Sequence, residues 1–566
     1  MKISLTRAEW VLVAILALAV APYFLRLGAS SLWDANEAFY AETPREMIAS
    51  GDLVNPTFNF RPRLNKPPLS YWIVVPFYKL LGESEAVERL VIALGAMIMI
   101  ATAYGLGRAM HSNEAGLLAA LCLAIAPRFL MFSRRIMIDV YVSMFMALAL
   151  LLFVLAEKRP EKRRLYLTLM YASAGLGVLT KGPVAVFLPA VVLIVYLIIH
   201  RQLQRLREMM LPVGLLIVAL LVLPWYLAIY VQHGWTLIGS FILRDNLSRF
   251  AEQAWGPRRG FFFYVPVVFG DIFPWSLFLI PLIWFAIRKL WSAQGDELRV
   301  ENTARESRLS LLLVVWVAVI IGFFSLSKSK EDLYILPAVP AIAALIGGGL
   351  ARFIRSEGAR SQGVMRWMLF LLALITASTG ALILYLFAGD AQPYKLASAG
   401  LIGAFAIVGG LAGASGALLN KTRMAVITTA VTMIACNFVF VLATLPDFER
   451  YKPVRPLCEV VESEAGSGAM IGYYRTAYPS MVFYLRRPIF EYYDPDEIEA
   501  AFSSGKEVFC VLTESDFQQL RARLPAETRV LASHPILQVK LKGILDRVEP
   551  PRVLLISNKG GPSTNQ

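Results

Sequence analysis

The twelve residues RPRLNKPPLSYW, Arg61 to Trp72, hold three cations, three prolines and two aromatics between two long apolar runs. Pro67 and Pro68 restrict the backbone and bias Lys66 towards an extended conformation, so the chain itself fixes where that ammonium points. Tyr71 and Trp72 suit the headgroup boundary of a bilayer. The segment reads either as a rigid cationic clamp or as a proline-rich turn. Further cations stand near the ends of apolar runs: Arg45, Arg63, Arg134, Arg135, Lys181 in TKGP, Arg244, Arg249, Arg258, Arg259, and Lys328 and Lys330 in SLSKSKEDLY. A charge in such a place is costly unless it snorkels to lipid phosphate or meets an anion, and their recurrence at several ends points to a shared anion site. The carboxylates are Asp34, Glu37, Glu42 and Glu46 in SLWDANEAFYAETPREM, and Asp139 at the start of an apolar run. Asp139 lies one helical turn past Arg135, so it either pairs with Arg135 or faces a substrate. Glu42 and Glu46, spaced i,i+4 beside Arg45, read as a helix surface without chemistry.

The elements that must hold these groups are membrane spans. Of 566 residues, 57% are hydrophobic and 17% charged, which excludes a soluble protein. Windows of about twenty apolar residues predict thirteen spans, near 8–27, 87–109, 114–132, 140–156, 165–180, 183–200, 210–231, 263–287, 309–326, 334–351, 367–388, 396–418 and 424–445. The first run also fits a cleaved signal peptide, with Lys2 and Arg7 before it and Gly28 to Ser30 after it. The basic loops 157–164, 200–208, 288–308, 351–366 and 420–423 all fall on one side of such a set, which makes that side cytoplasmic and the C-terminal tail periplasmic. The net charge of +14 is thus accounted for by membrane topology, and nucleic acid is not an expected partner. The expected organisation is a membrane domain over 1–445, with outer loops at 28–86 and 232–262, and a small α/β domain over 446–566. In the tail, AMIGYY, EVFCVLT and RVLLIS read as strands, and DPDEIEAAF and ESDFQQLRARL as helices. Cys122 and Cys436 read as packing residues; Cys458 and Cys510 share the tail and could pair in an oxidising compartment.

The run DANEAFYAETPREMIASGDLVNPTFNFRPRLNKPPLSYW resembles the first outer loop of the bacterial protein-mannosyltransferase-like glycosyltransferases (GT-C fold, family 83), whose best-known branch transfers 4-amino-4-deoxy-L-arabinose from undecaprenyl phosphate to lipid A. The resemblance continues through MFSRRIMIDVY, GLGVLTKGPVAV, RDNLSRF, FPWSLFL and FFSLSKSKEDLYILPAVPAIA. It implies an all-α polytopic GT-C membrane fold with juxtamembrane helices in the outer loops, a periplasmic C-terminal domain, a bacterial inner-membrane location, and sugar transfer with inversion from a polyprenyl-phosphate donor. The implied acceptor is lipid A, another glycolipid or a protein. On this reading Lys66, Arg63, Lys181, Arg249, Lys328 and Lys330 hold the donor phosphate. Glu37, Asp139, Asp34 and Asn36 are the catalytic candidates, and Tyr40, Tyr334 and Asn65 line the cavity.

Two departures matter. Asn36 stands where the family commonly has Asp, which puts the usual base in doubt and leaves Glu37 or Asp34 to replace it, or no base at all. An acceptor phosphate is already ionised at neutral pH and needs little deprotonation, whereas an alcohol does. Asn65 stands where the lipid A branch has an acidic residue, which removes a metal ligand. Of the four histidines only His233 could approach the site, so no cofactor and no zinc site of three or four ligands is expected, although other divalent metals stay open. The rival classes are a lipid or sugar transporter, which should place polar groups at the bilayer midplane and show repeats, and a non-catalytic assembly protein.

Overall fold

The computed structural model describes residues 6–241, 243, 248, 250, 258–284, 301–355, 359–388, 394, 396–537 and 546–559. Arg244 and Arg249 lie outside the described residues, as does part of the basic loop 288–308. Among the described residues, eight helices are long and apolar enough to cross a membrane, and ten if each of two bent pairs forms one span. One pair, Asn113–Ala124 with Pro127–Ser133, bends by 69°; the other, Phe261–Asp271 with Trp275–Trp284, bends by 115°. Pro127 opens its second segment and Pro274 precedes Trp275, where a missing N–H breaks the helical ladder. The three remaining expected spans are the helices Arg7–Val20, Arg163–Lys181 and Val184–Ile199. Among the described residues, every sequence window therefore overlaps helix. The first run, Arg7–Val20, belongs to the bundle: Glu9 accepts from Asn113, and Tyr23 beyond its end donates to the Ala124 carbonyl.

Between the first two spans the outer loop is itself structured. It comprises helix Asn36–Ser50, a hairpin of β1 (Thr57–Phe58) and β2 (Arg61–Pro62), and helix Leu69–Leu81, whose apolar face lies on the bundle. Pro68 caps that last helix, so RPRLNKPPLSYW is the run-in to a juxtamembrane helix.

The tail forms a five-stranded sheet, β3 (Met470–Tyr474), β4 (Phe490–Tyr492), β5 (Val508–Thr513), β6 (Arg529–Pro535) and β7 (Arg552–Ser557), in spatial order β4-β3-β5-β7-β6. The β3 pairings are parallel and the β7 pairings antiparallel. Strands β4 and β6 escape the sequence reading because β4 has only three residues and β6, at an edge, has no fully buried residue and only a short apolar run. Alternation along β5 sends Phe509 and Val511 to one face, where Cys458 packs, and Cys510 to the other. The expectation that Cys458 and Cys510 might bond is therefore corrected: all four cysteines are buried free thiols. Protein denatured in SDS without reductant should titrate with four thiols per chain; a count of two would overturn this arrangement.

Candidate active site

The ends of several spans meet the first loop. Asp139 is the first residue of helix Asp139–Lys158, and Lys181 is the last of Arg163–Lys181. Each charge thus complements the dipole of its own helix. Gly182, at φ 105°, lets the chain reverse directly after Lys181. The two side chains form a direct ion pair, only 15% and 20% exposed, and the Lys181 ammonium lies 5.0 Å from the centre of the Tyr334 ring. Asp139 is therefore paired, but with Lys181 rather than with Arg135 as adjacency along the helix suggested. A pair in partial contact with solvent is held together mainly by geometry and remains open to a competing anion.

The segment that carries Lys66 packs against the helix that ends in Lys181. Leu64, two residues before it, and Leu179, two residues before Lys181, pack in one cluster with Trp225 and Ile238. The Lys66 ammonium lies 5.9 Å from the Phe241 ring. From the last residues of helix Glu301–Leu326 into the following loop, burial alternates: Ser325, Ser327 and Ser329 turn inward while Leu326 and Lys328 face out. An aromatic series, Phe250 on Phe323, Phe323 on Phe324 and Phe324 on Tyr334, joins this loop to Lys181. Asp332 anchors the same loop, accepting from Arg128 at 3.1 Å and from Arg259 at 3.4 Å. Lys181 thus joins Asp139 to Tyr334, with the Lys66 segment and the Lys328 loop each linked to the Lys181 region through apolar and aromatic contacts.

Other sequence candidates are placed elsewhere. Lys330 is buried and donates to the Ser327 carbonyl, so it holds the loop rather than an anion. Arg63 stacks on Phe39 at 3.9 Å. Tyr40 is half-buried against Tyr71, while Asn36 and Asn65 are exposed. Asp34 accepts from both the amide and the hydroxyl of Ser480 in the tail domain, at 2.8 and 2.5 Å, and burial pushes its carboxyl up to about 7. Asp34 thereby fastens the first loop to the tail. Glu37 is fully buried and bonded to Arg89 at 3.0 Å, to Arg135 at 3.5 Å and to the amides of Trp33 and Ile136. Burial acts to raise its pKa, but Arg89 and Arg135 outweigh it and hold the carboxylate below its usual range. Glu37 is therefore an internal anchor. The helix-surface reading of Glu42, Arg45 and Glu46 is also corrected, for all three are buried. Arg45 donates to Glu42, whose carboxyl burial still pushes up to about 7, and Glu46 accepts the Phe60 amide of the hairpin.

Sequence reasoning missed Arg89, Lys452, Trp33 and Phe241. Arg89 carried a signal, being a cation one turn inside an apolar helix, which demands a partner; Phe241 carried none. Among the described residues, no three His, Cys, Asp or Glu side chains are grouped to hold a metal ion. His233 bonds Asn55 at 2.7 Å.

Comparison with known proteins places this arrangement. Residues 65–227 match the family described as dolichyl-phosphate-mannose-protein mannosyltransferase. The chain is 32% identical to an uncharacterized protein of Aquifex aeolicus over 64% of its own length and 67% of the relative's. It is 28% identical to the undecaprenyl phosphate-alpha-4-amino-4-deoxy-L-arabinose arabinosyl transferase of Aeromonas salmonicida, over 64% of each chain. In fold it is similar to ArnT from Cupriavidus metallidurans solved with undecaprenyl phosphate, with a TM-score of 0.79 at 22% identity, covering 99% of this chain and 100% of that one.

Removing the Glu37 charge should leave the Arg89 guanidinium buried without its counter-ion, a loss of about 3–5 kcal/mol. Glu37→Gln should therefore lower the unfolding midpoint of monodisperse detergent-purified protein, whereas Asn36→Ala, at an exposed position, should change stability by about 0.5 kcal/mol or less. Equal midpoints for the two variants would remove Glu37 from its anchoring role.

Proposed function

The chain belongs to the dolichyl-phosphate-mannose-protein mannosyltransferase family of glycosyltransferases, and on that premise we propose that it moves a sugar from undecaprenyl phosphate to a lipid acceptor at the outer face of the bacterial inner membrane. The donor named for its relatives, undecaprenyl phosphate-α-4-amino-4-deoxy-L-arabinose, is the one proposed here, with lipid A as the acceptor. The observation that carries the reading is the Asp139–Lys181 ion pair beside the Tyr334 ring, at a helix end that shares an apolar cluster with the segment carrying Lys66; Lys66 and Lys328 are proposed to join it in holding the donor phosphate. As the bond between the anomeric carbon and the phosphate oxygen breaks, its electron pair passes to the phosphate, and the lysines meet the growing charge without proton transfer. An acceptor oxygen bonds the anomeric carbon from the opposite face, which inverts it. Asp34 and Glu37 are engaged in buried contacts and Asn36 cannot accept a proton, so an acceptor that is already ionised suits this site. Asp139 holds Lys181 in place and orients sugar or acceptor. Because the lysines supply the positive charge, no metal is assigned a step.

Lys66→Ala should lower the rate of the chemical step by about 10²–10³ and weaken donor binding. Lys66→Arg should recover only part of this, since a planar fork does not occupy the place of a compact ammonium. Asp139→Asn should spare donor binding while slowing transfer. The assay is sugar transfer by purified protein in excess chelator, with donor affinity measured separately. Full activity in both Lys66→Ala and Asp139→Asn would dismiss this site, and activity lost to chelation but restored by zinc or magnesium would demand a metal step. Orientation is tested apart from chemistry: a reporter active only in the periplasm should work when fused after Gln566 and fail within 296–306, and the reverse pattern would move the site to the wrong face.

A further inference from the structure

Three residues beyond the end of the last apolar helix, Thr422–Glu449, the chain places a buried ammonium against the first loop. Lys452, 7% exposed, donates to the Ser30 hydroxyl at 2.6 Å and to the Ser31 carbonyl at 2.7 Å. Its ammonium lies 4.0 Å from the centre of the Trp33 ring and 3.7 Å from Glu449, and Glu449 accepts the Ser31 amide. The same indole meets a second cation, Arg135, at 5.3 Å. Arg135 pairs with Glu37, and Glu37 also accepts the amides of Trp33 and Ile136. Ile136 lies three residues before Asp139, so a continuous set of contacts runs from the segment that opens the tail, through Trp33 and Glu37, to the start of the helix that presents Asp139 to Lys181.

We propose that Lys452 is a positioning residue for sugar transfer: by holding Ser30, Ser31 and Trp33 it fixes Arg135 and Glu37, and through them the placement of Asp139. A cation packed on an indole is attracted by the ring's quadrupole, and the attraction grows where water is excluded. Two cations on one indole confine it more closely than either alone. Lys452 touches neither Lys66 nor the loop that carries Lys328 in any contact described, so its influence falls on the Asp139 side of the site and leaves donor capture to the other lysines. A misplacement of about 1 Å in such a constellation lowers turnover by about 10²-fold.

The charges facing Lys452 are Glu449 on its own segment, Asp34 and Glu37 on the first loop, Arg89 on helix Glu85–Met110, and Arg135 before Asp139. Burial lowers the Lys452 pKa to about 8, against the pull of Glu449. An amine with a lowered pKa carries its charge below that value and loses it as pH rises through it, so the grip on Trp33 holds below about pH 8 and weakens above. An arginine stays charged throughout this range.

The activity readout rests on the glycosyltransferase reading, so the test has a second arm that does not. In the first arm, Lys452→Met should lower kcat by about 10–100-fold with donor KM within about twofold. Lys452→Arg should restore most of the rate and, unlike the parent, keep it from pH 7.5 to 9.5. A wild-type kcat in Lys452→Met, or the same high-pH decline in Lys452→Arg as in the parent, would overturn the proposal. In the second arm, amide hydrogen exchange of full-length protein in detergent should speed up at residues 31–37 and at Ile136 in Lys452→Met and not in Lys452→Arg; unchanged exchange would overturn the proposal. If Lys452→Met is not monodisperse, the parent and Lys452→Arg are compared by pH profile and by exchange at pH 7.5 and 9.5, where only the parent should loosen. If the parent protein transfers no sugar, the proposed function falls and the exchange arm alone decides the role of Lys452.

Discussion

The outer half of this protein depends on one buried ion pair, Arg89 with Glu37. Arg89 sits one turn inside a membrane helix, where an unpaired guanidinium would be prohibitive. The first loop solves the problem by wrapping around it: the carbonyls of Leu27, Ser30 and Ser31 accept from the guanidinium, and Glu37 supplies the counter-charge. That wrapping decides where helix Asn36–Ser50 begins, and it draws in Arg135 and the Ile136 amide. The residue that resembles a catalytic carboxylate in sequence is thereby used to build the floor beneath the site. Desolvation makes such a pair a poor source of net stability. Its effect is to leave the loop very few conformations that satisfy every donor.

The tail domain is a continuation of this construction. Phe58 of the hairpin belongs to the apolar core on one face of the tail sheet, with Phe39 packed against it. Asn59 exchanges two hydrogen bonds with the Ile489 backbone, Tyr484 donates to Glu85 and accepts the Leu32 amide, and Asp34 is satisfied by Ser480. A sheet face that needs residues from the first loop to complete its core cannot swing freely above the membrane. The loop is consequently held from below by Arg89 and from above by the tail.

Division of labour among the lysines follows from burial. Lys330 and Lys452 turn inward and spend their donors on carbonyls and hydroxyls, which fixes backbone. Lys181 is half-committed, to Asp139 and Tyr334, and Lys328 is exposed. Lys66 keeps its place through the prolines that follow it and through Leu64, which packs beside Leu179. Under the proposed function, an anion would meet in Lys181 a charge whose position is already set by Asp139 and Tyr334, so little reorganisation would accompany its neutralisation.

What the sequence determined by itself was the set of spans, the α/β character of the tail and the cationic run-in at Lys66. Each of these is a sum over neighbouring residues: hydropathy over about twenty positions, alternation over five or six, or the stiffness of two adjacent prolines. Only the tertiary structure decided which charges pair. Arg135 is nearer to Asp139 along the chain, yet Lys181 takes Asp139 because two helix ends from different spans converge, while Arg135 is drawn to Glu37. Glu42 and Glu46 read as a surface by spacing and are buried because the hairpin folds back over them. Lys328 and Lys330 are two residues apart and identical in type, and differ in role because one has the Ser327 carbonyl within reach inside the loop. Coulomb and hydrogen-bond energies depend on distance and burial in space, and neither quantity is a function of separation along the chain.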